Sequence, residues 1–191
     1  YIIGDNTINI DRVFYNNNLL RMSFMHIIEN NLEVVEYENL LLPISIKIRE
    51  LIQYKNKRAL CHWHDDIEII KILSGSMNFY INGEIFHLIK DDILIVNSKQ
   101  IHYGYEYNHD DCKFICLMVN PSVLKINKAM YREYVIPIIE NNGLLAWCLK
   151  NNEGKQLDRI LFALIDWQEK SCRAKEWKLL SLVYDLWYQI Y

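Results

Sequence analysis

The sequence has 191 residues, of which 51% are hydrophobic, 24% are charged and 13% are aromatic, with only 6 Gly and 3 Pro. This composition excludes disordered, collagen-like and low-complexity chains and predicts a globular protein of about one domain. The formal net charge of -3 provides no basic field for tracking a nucleic acid backbone, so this chain alone is not expected to bind DNA. No apolar run is long enough to cross a membrane.

The cysteine count bears on the cellular compartment. There are five cysteines, an odd number with no Cys-x-x-Cys pair, and the chain does not open with a secretory signal pattern. Free thiols are typical of a reducing environment, so we expect a cytoplasmic protein.

The first zone of the chain, residues 1 to about 60, carries short alternating runs. Apolar and polar residues alternate from Leu42 to Ile48, which predicts a β-strand. Asparagine clusters at 16–18 and 30–31 mark turns between such runs. We expect this zone to be β-structure.

The second zone, about 61 to 120, contains short strands rich in Ile, Phe, Tyr and Val, which is typical of a sandwich or barrel. Asn82-Gly83 predicts a two-residue hairpin between strands at 77–81 and 84–89. We expect Ser74-Gly75-Ser76 to separate one strand from the next. The remaining strands are expected after the turn Lys90-Asp91-Asp92 at 93–96, and then at 101–107 and 113–119.

The third zone changes period, because apolar residues recur at spacings of three and four in 157–165 and in 177–191. These spacings predict a pair of amphipathic helices, preceded by shorter helices at 130–139, broken near Pro137, and at 143–149. The apolar surface of the pair is wide enough to cover both the barrel and a partner helix, so a homodimer is expected. Its predicted interface residues are Leu157, Leu161, Leu164, Trp177, Leu180, Tyr184 and Trp187.

A cluster of polar residues around the start of the second zone has the composition of a binding site. On a strand, His62, His64 and Glu68 would share one face, because side chains of like parity point the same way. His102 begins a later strand that barrel closure can bring opposite them. Imidazoles with a carboxylate suit a divalent metal such as Zn, Fe, Mn or Ni, but they also suit a hydroxyl- or carboxylate-bearing small molecule. Mutual hydrogen bonding inside the barrel is the third alternative.

This spacing resembles the cupin family. His62-x-His64, three residues, Glu68, six residues and Gly75 follow the first cupin motif, and His102 stands at the histidine of the second motif. The second motif departs from the family pattern at four positions, where two glycines, a proline and an asparagine are replaced by Asp91, Lys99, Asn97 and Glu106 respectively. The resemblance implies an α+β protein, with a cupin jelly-roll β-barrel and its N-terminal extension over residues 1–121 and a helical dimerisation segment over 122–191.

More specifically, the run from His62 to His102 resembles the effector domain of AraC-type transcription regulators, and the helical pair resembles their dimerisation helices. This resemblance implies a small-molecule sensor with His62, His64, Glu68 and His102 as effector-binding residues. It implies no catalytic residue and no cofactor other than a possible divalent metal at the same four residues. The DNA-binding domain is expected beyond Tyr191, and residues 1 to about 20 are a candidate mobile segment. The alternative is a stand-alone metal-dependent cupin enzyme of the dioxygenase or isomerase type.

Overall fold

The computed structural model describes residues 26–27, 29–39 and 41–191. The predicted mobile segment, residues 1 to about 20, therefore lies outside the described residues. Within the described part, a small two-stranded sheet precedes a seven-stranded antiparallel barrel. The strands are β1 (His26–Ile27), β2 (Glu33–Val34), β3 (Ile44–Glu50), β4 (Ile67–Ile81), β5 (Glu84–Ile89), β6 (Ile93–Val96), β7 (His102–Glu106), β8 (Cys112–Val119) and β9 (Ala146–Leu149).

Strand β4 belongs to both halves of the barrel. Its first half pairs with β6 and β8, and its second half pairs with β5 and β7. The register shifts between Ile72 and Ser74, and Gly75 has a φ of 73° at a point where a Cβ would overlap the carbonyl oxygen of Asp111. The prediction that residues 74–76 separate two strands is therefore wrong, because a bulge bends one continuous strand from one sheet into the other.

The predicted hairpin is confirmed. Asn82 and Gly83 have φ values of 45° and 102°, and Ile81 pairs with Glu84 directly across the turn. Positive φ at both turn residues is what a twisted two-residue hairpin requires. The strands expected at 93–96, 101–107 and 113–119 are also present, as β6, β7 and β8.

Strand β9 corrects the helix expected at 143–149. Residues 146–149 pair with all four residues of β6, from Val96 opposite Ala146 to Ile93 opposite Leu149. Strand β6 is completely buried, so its second backbone edge needs a hydrogen-bonding partner that water cannot replace. A short apolar segment can satisfy that edge as a strand, and this tertiary requirement outweighs the local pattern.

The helical part contains α1 (Lys128–Tyr134), α2 (Ile136–Ile139), α3 (Lys155–Glu169) and α4 (Lys175–Ile190). The predicted break in the first helical run falls at Val135, with Pro137 in the first turn of α2, where a proline needs no hydrogen bond. The helical pair α3 and α4 is confirmed. Among the described residues, no helix has the length and apolar character needed to cross a bilayer.

Both faces of the sheet β3-β8-β4-β6-β9 are buried. One face lines the barrel interior, and helices α3 and α4 cover the other. Leu157, Leu161 and Leu164 lie on the covering side with exposures of 3%, 0% and 0%, so their surface is taken up inside the protomer. Burial on both faces explains why β4 and β6 read as nearly continuous apolar runs.

A buried ion pair links β4 to α3. Lys71 is 2% exposed on the helix-covered face, and its Nζ lies 2.9 Å from Oδ1 of Asp158. The same Nζ donates a hydrogen bond of 3.0 Å to the carbonyl oxygen of Asp91. The ammonium group is thus held between the barrel and the first helix of the pair.

Candidate functional site

Four side chains converge at one end of the barrel interior. His62 and His64 precede β4, Glu68 is the second residue of β4, and His102 is the first residue of β7. His62 and His102 form an antiparallel bridge with two backbone hydrogen bonds of 3.1 and 2.8 Å. Each of the four residues offers one ligand atom, and these atoms lie within 4.8 Å of one another. The sequence-predicted cluster is therefore assembled, although β4 itself begins only at Ile67.

Each imidazole is oriented by the backbone. The Nδ1 atoms of His62, His64 and His102 lie 2.8, 3.2 and 2.8 Å from the carbonyl oxygens of Leu60, Asp66 and Gln100 respectively. A carbonyl oxygen only accepts, so each Nδ1 carries the proton and donates it. In the neutral rings, the three Nε2 atoms are left with their lone pairs directed into the cluster.

The inward-facing atoms lie close together without hydrogen-bond geometry. Oε2 of Glu68 is 2.7 Å from Nε2 of His102 and 3.7 Å from Nε2 of His64. Within the described part of the chain, these three buried atoms have no hydrogen-bond partner. Buried polar atoms without partners are rare in folded proteins, so these three atoms are candidates for binding an ion or a ligand.

The charges in the cluster follow from burial and mutual contact. Burial raises the pKa of Glu68, but His102 and His64 more than offset this effect and hold that pKa well below its usual range. Burial lowers the pKa of His102 despite the opposing effect of Glu68. Burial also lowers the pKa of His64, but Glu68 and Asp66 outweigh it, and that pKa lies above its ordinary value. Glu68 therefore loses its proton more readily than an ordinary glutamate, and His102 accepts one less readily than an ordinary histidine.

A thiol and an aromatic ring support the cluster. Sγ of Cys116 on β8 donates to Oε1 of Glu68 at 3.1 Å, which fixes the carboxylate that faces His102. Burial, together with Glu68, raises the pKa of this thiol well above its usual range, so it remains a donor. Phe79 stacks on the His102 ring with centroids 5.8 Å apart. The sequence interpretation did not include Cys116, although its alternation along β8 places it on the inner face.

The altered second motif keeps the backbone shape that its usual residues would give. Asp91 and Lys99, which stand at glycine positions of the motif, have φ values of 75° and 65°. The backbone N–H of Lys99 donates to the His64 carbonyl oxygen at 2.8 Å. Asn97, at the proline position, donates from Nδ2 to the carbonyl oxygens of Ile138 in α2 and Leu144 before β9, each at 2.9 Å. These contacts hold the loop that carries His102, so the departures at these three positions preserve the site.

The predicted interface residues divide into buried and exposed groups. Besides the three buried leucines of α3, Leu180 on α4 is 8% exposed and Tyr184 and Trp187 are half-buried. Trp177 is 72% exposed, and Tyr188, which the prediction omitted, is 78% exposed. The large exposed aromatic side chains of the helical pair are therefore concentrated on α4.

Residues 53–171 match the family model of the AraC-like ligand binding domain. This chain belongs to that family. The AraC-like domain is also 32% identical over 128 residues to an uncharacterised HTH-type transcriptional regulator, YdeC, of Bacillus subtilis, a match covering 66% of this chain and 44% of the relative. The chain thus spans less than half the length of that relative.

Two solved structures are similar to parts of this chain. An apo ToxT variant from Vibrio cholerae matches this AraC-like domain with a TM-score of 0.51 and 11% identity, covering 78% of this chain and 55% of that one. A cupin-like protein of Thermotoga maritima matches with a TM-score of 0.39 and 15% identity, over 44% of this chain and 62% of that one. The predicted fold class, a cupin barrel followed by a helical pair, is confirmed by the seven-stranded antiparallel barrel and by α3 and α4.

Proposed function

We propose that this chain is the effector-sensing and dimerisation domain of an AraC-type transcription regulator, and that its effector site is the cluster of His62, His64, Glu68 and His102. Membership of a ligand-binding domain family and the similarity to an HTH-type transcriptional regulator support the regulatory role. They favour it over a stand-alone enzyme. On this proposal, DNA is read by the helix-turn-helix region of the full-length regulator.

The observation that carries the assignment of the site is the convergence of acceptors. Three imidazole Nε2 atoms and one carboxylate oxygen face one another, while every Nδ1 is already engaged with a backbone carbonyl. An added proton gives a hydrogen bond between two of these acceptor atoms, whereas a divalent cation bonded to all four atoms satisfies them together. Histidines that bind metals show this same Nδ1 anchoring. The donor set therefore fits a divalent transition metal ion.

The four residues would hold the ion by their inward-facing atoms. When bound, the ion supplies a positively charged anchor with open coordination positions for an oxygen-bearing small-molecule effector. The backbone carbonyls of Leu60, Asp66 and Gln100 fix the orientation of the imidazoles, and Cys116 orients the carboxylate.

Metal titration of the purified protein tests this proposal. Mn²⁺, Co²⁺, Ni²⁺ and Zn²⁺ are added to protein prepared without chelators, and binding is followed by calorimetry and by thermal unfolding. We expect one ion per chain, and a stabilisation of about 2.7 kcal/mol at a free ion concentration of 100 times Kd. Glu68→Gln and His102→Ala should remove both effects. His109→Ala is the matched control, because that imidazole is 94% exposed and lies outside the cluster. Metal-free protein that none of the four ions stabilises would overturn the metal assignment.

Dimerisation is assigned to α4. Trp177 and Tyr188 on α4 and Tyr191 directly after it are 72%, 78% and 68% exposed, whereas Leu180, Tyr184 and Trp187 pack on the protomer's own core. Large exposed aromatics concentrated along one helix are typical of a protein interface. Light scattering across a concentration series should show a dimer whose dissociation constant rises about 10-fold or more in Trp177→Ala. Tyr107→Ala, an exposed aromatic of the barrel, should leave it unchanged, and a monomer at every concentration would contradict the assignment.

The regulatory role has its own test. Reading the gene past the codon for Tyr191 should show two helix-turn-helix patterns with basic recognition helices. A stop codon directly after Tyr191 would contradict the proposal and would favour the enzymatic alternative.

A further inference from the structure

The segment before the barrel brings a second carboxylate to the cluster. Oε2 of Glu33, on β2, lies 3.2 Å from Nε2 of His62. The two side chains are 10% and 7% exposed, so the contact is nearly closed to solvent. Glu33 approaches from the His62 side, outside the group of four, and the sequence pattern did not point to it.

The backbone fixes this approach on both sides of Glu33. Its own N–H donates to the carbonyl oxygen of Trp63 at 2.9 Å, and the N–H of Trp63 donates to the carbonyl oxygen of Asn31 at 2.9 Å. The Trp63 indole Nε1 donates to the carbonyl oxygen of Asn30 at 2.8 Å. Trp63 lies between His62 and His64, so the chain that carries two of the proposed ligands also holds the segment that carries Glu33.

The contact has the chemistry of two ligands. Nδ1 of His62 donates to Leu60, so in the neutral ring Nε2 is an acceptor that faces a carboxylate acceptor. Two atoms bonded to one ion at about 2.0–2.2 Å are themselves about 3 to 3.5 Å apart, which includes this distance. Charge gives a second reason. A divalent ion with three neutral imidazoles and Glu68 leaves one uncompensated positive charge in a buried place, and such a charge is costly.

We propose that Glu33 is a fifth ligand of the site, the carboxylate that neutralises the bound ion and ties residues 29–34 to its presence. This inference rests on the proposed metal site. Five protein donors leave one position of an octahedral ion open, so Mn²⁺, Fe²⁺, Co²⁺ or Ni²⁺ suits this site better than tetrahedral Zn²⁺ does. The open position is then the one at which an organic effector binds.

Cobalt titration of the purified protein and its Glu33→Gln variant tests the inference. The visible absorption of Co²⁺ reports coordination number, because four-coordinate Co²⁺ absorbs much more strongly than five- or six-coordinate Co²⁺. We expect Glu33→Gln to bind Co²⁺ about 10- to 100-fold more weakly than the parent protein and to change its visible bands, with a smaller loss of affinity for Zn²⁺. Amide exchange over residues 29–34 should slow on Co²⁺ addition in the parent only.

Two further variants complete the design. Glu38→Gln is the matched control, since Glu38 lies on the same part of the chain but pairs with Lys47 and Ser45. Glu33→Asp keeps the charge and shortens the reach, so it should weaken Co²⁺ binding even if Glu33→Gln fails to fold. Equal Co²⁺ affinity and spectra in the parent and the Glu33 variants would overturn the inference and leave the four-residue site intact. A parent protein that binds no Co²⁺ would overturn the metal site and the inference together.

Discussion

Substituting Asp158 by alanine should destabilise the protein strongly, because Asp158 pairs with the buried Lys71. Its carboxylate is the closest charge to the Lys71 ammonium, at 2.9 Å, and the Lys71 side chain is only 3% exposed. Removing one partner of a buried ion pair costs about 3–5 kcal/mol, because the other charge stays buried without compensation. Asp158 is itself 29% exposed, and Asp91 remains 3.6 Å from Nζ, so the lower end applies, about 3 kcal/mol.

Urea unfolding measures this cost as a lower midpoint with an unchanged slope. The double variant Lys71→Met with Asp158→Leu should recover to within about 1 kcal/mol of the parent, since it removes both charges and fills the space. Lys170→Ala is the control, because its pair with Asp166 is nearly half exposed and should contribute less than about 1 kcal/mol. If Asp158→Ala costs no more than this control, or if the double variant is no better than the single one, the proposed burial of an uncompensated charge is refuted.

Other positions give sharp expectations. Gly75→Ala should cost well over 1 kcal/mol, since it combines positive φ with backbone overlap, whereas Gly83→Ala, with open space around it, should cost about 1 kcal/mol; thermal unfolding of both variants decides this. Burial raises the pKa of Asp92, but Lys150 and two backbone N–H groups lower it by more, so that the pKa lies below its ordinary value. The resulting stabilisation is complete above the unfolded pKa of about 4 and is lost as the pH falls through the folded pKa. Asp92→Asn should therefore make the unfolding free energy decline less steeply below about pH 4. The same slope in the parent protein and the variant would contradict this. Asn97→Ala leaves two carbonyl oxygens without their side-chain donor and should cost about 2 kcal/mol in urea unfolding; a cost below about 0.5 kcal/mol would show that the loop does not depend on it.

The convergence of the four residues of the cluster was predictable because two general rules of β-structure place them. Parity along an extended chain places His62, His64 and Glu68 on one side, and barrel closure brings His102 opposite. Glu33 and Cys116 lacked such a rule. Glu33 reaches the cluster through contacts between its own segment and Trp63, and no spacing in the sequence encodes which segment packs there.

The errors in the predicted fold have the same origin. Ser74-Gly75-Ser76 has the composition of a turn, and only the pairing of β4 with strands on both sides shows that it is a bulge. The segment at 146–149 has an ambiguous apolar pattern, which the open edge of β6 resolves. The apolar stripes of the helical pair were recognised, but amphipathic spacing alone does not show whether a leucine such as Leu161 covers its own barrel or a second chain.

The two buried faces of β4 set the distance between the histidine cluster and the helices α3 and α4. Glu68 points into the barrel, while its neighbours Ile67 and Ile69 point into the packing beneath the helices. Under the proposed function, a small displacement at the effector site would therefore reach α3 and α4 through the thickness of a single backbone, about half of the 10 Å that separates packed layers. Such a short connection needs no relay of side chains. Under the proposed function, variants that uncouple effector binding from the helices should therefore be found on the face of β4 that packs against α3 and α4.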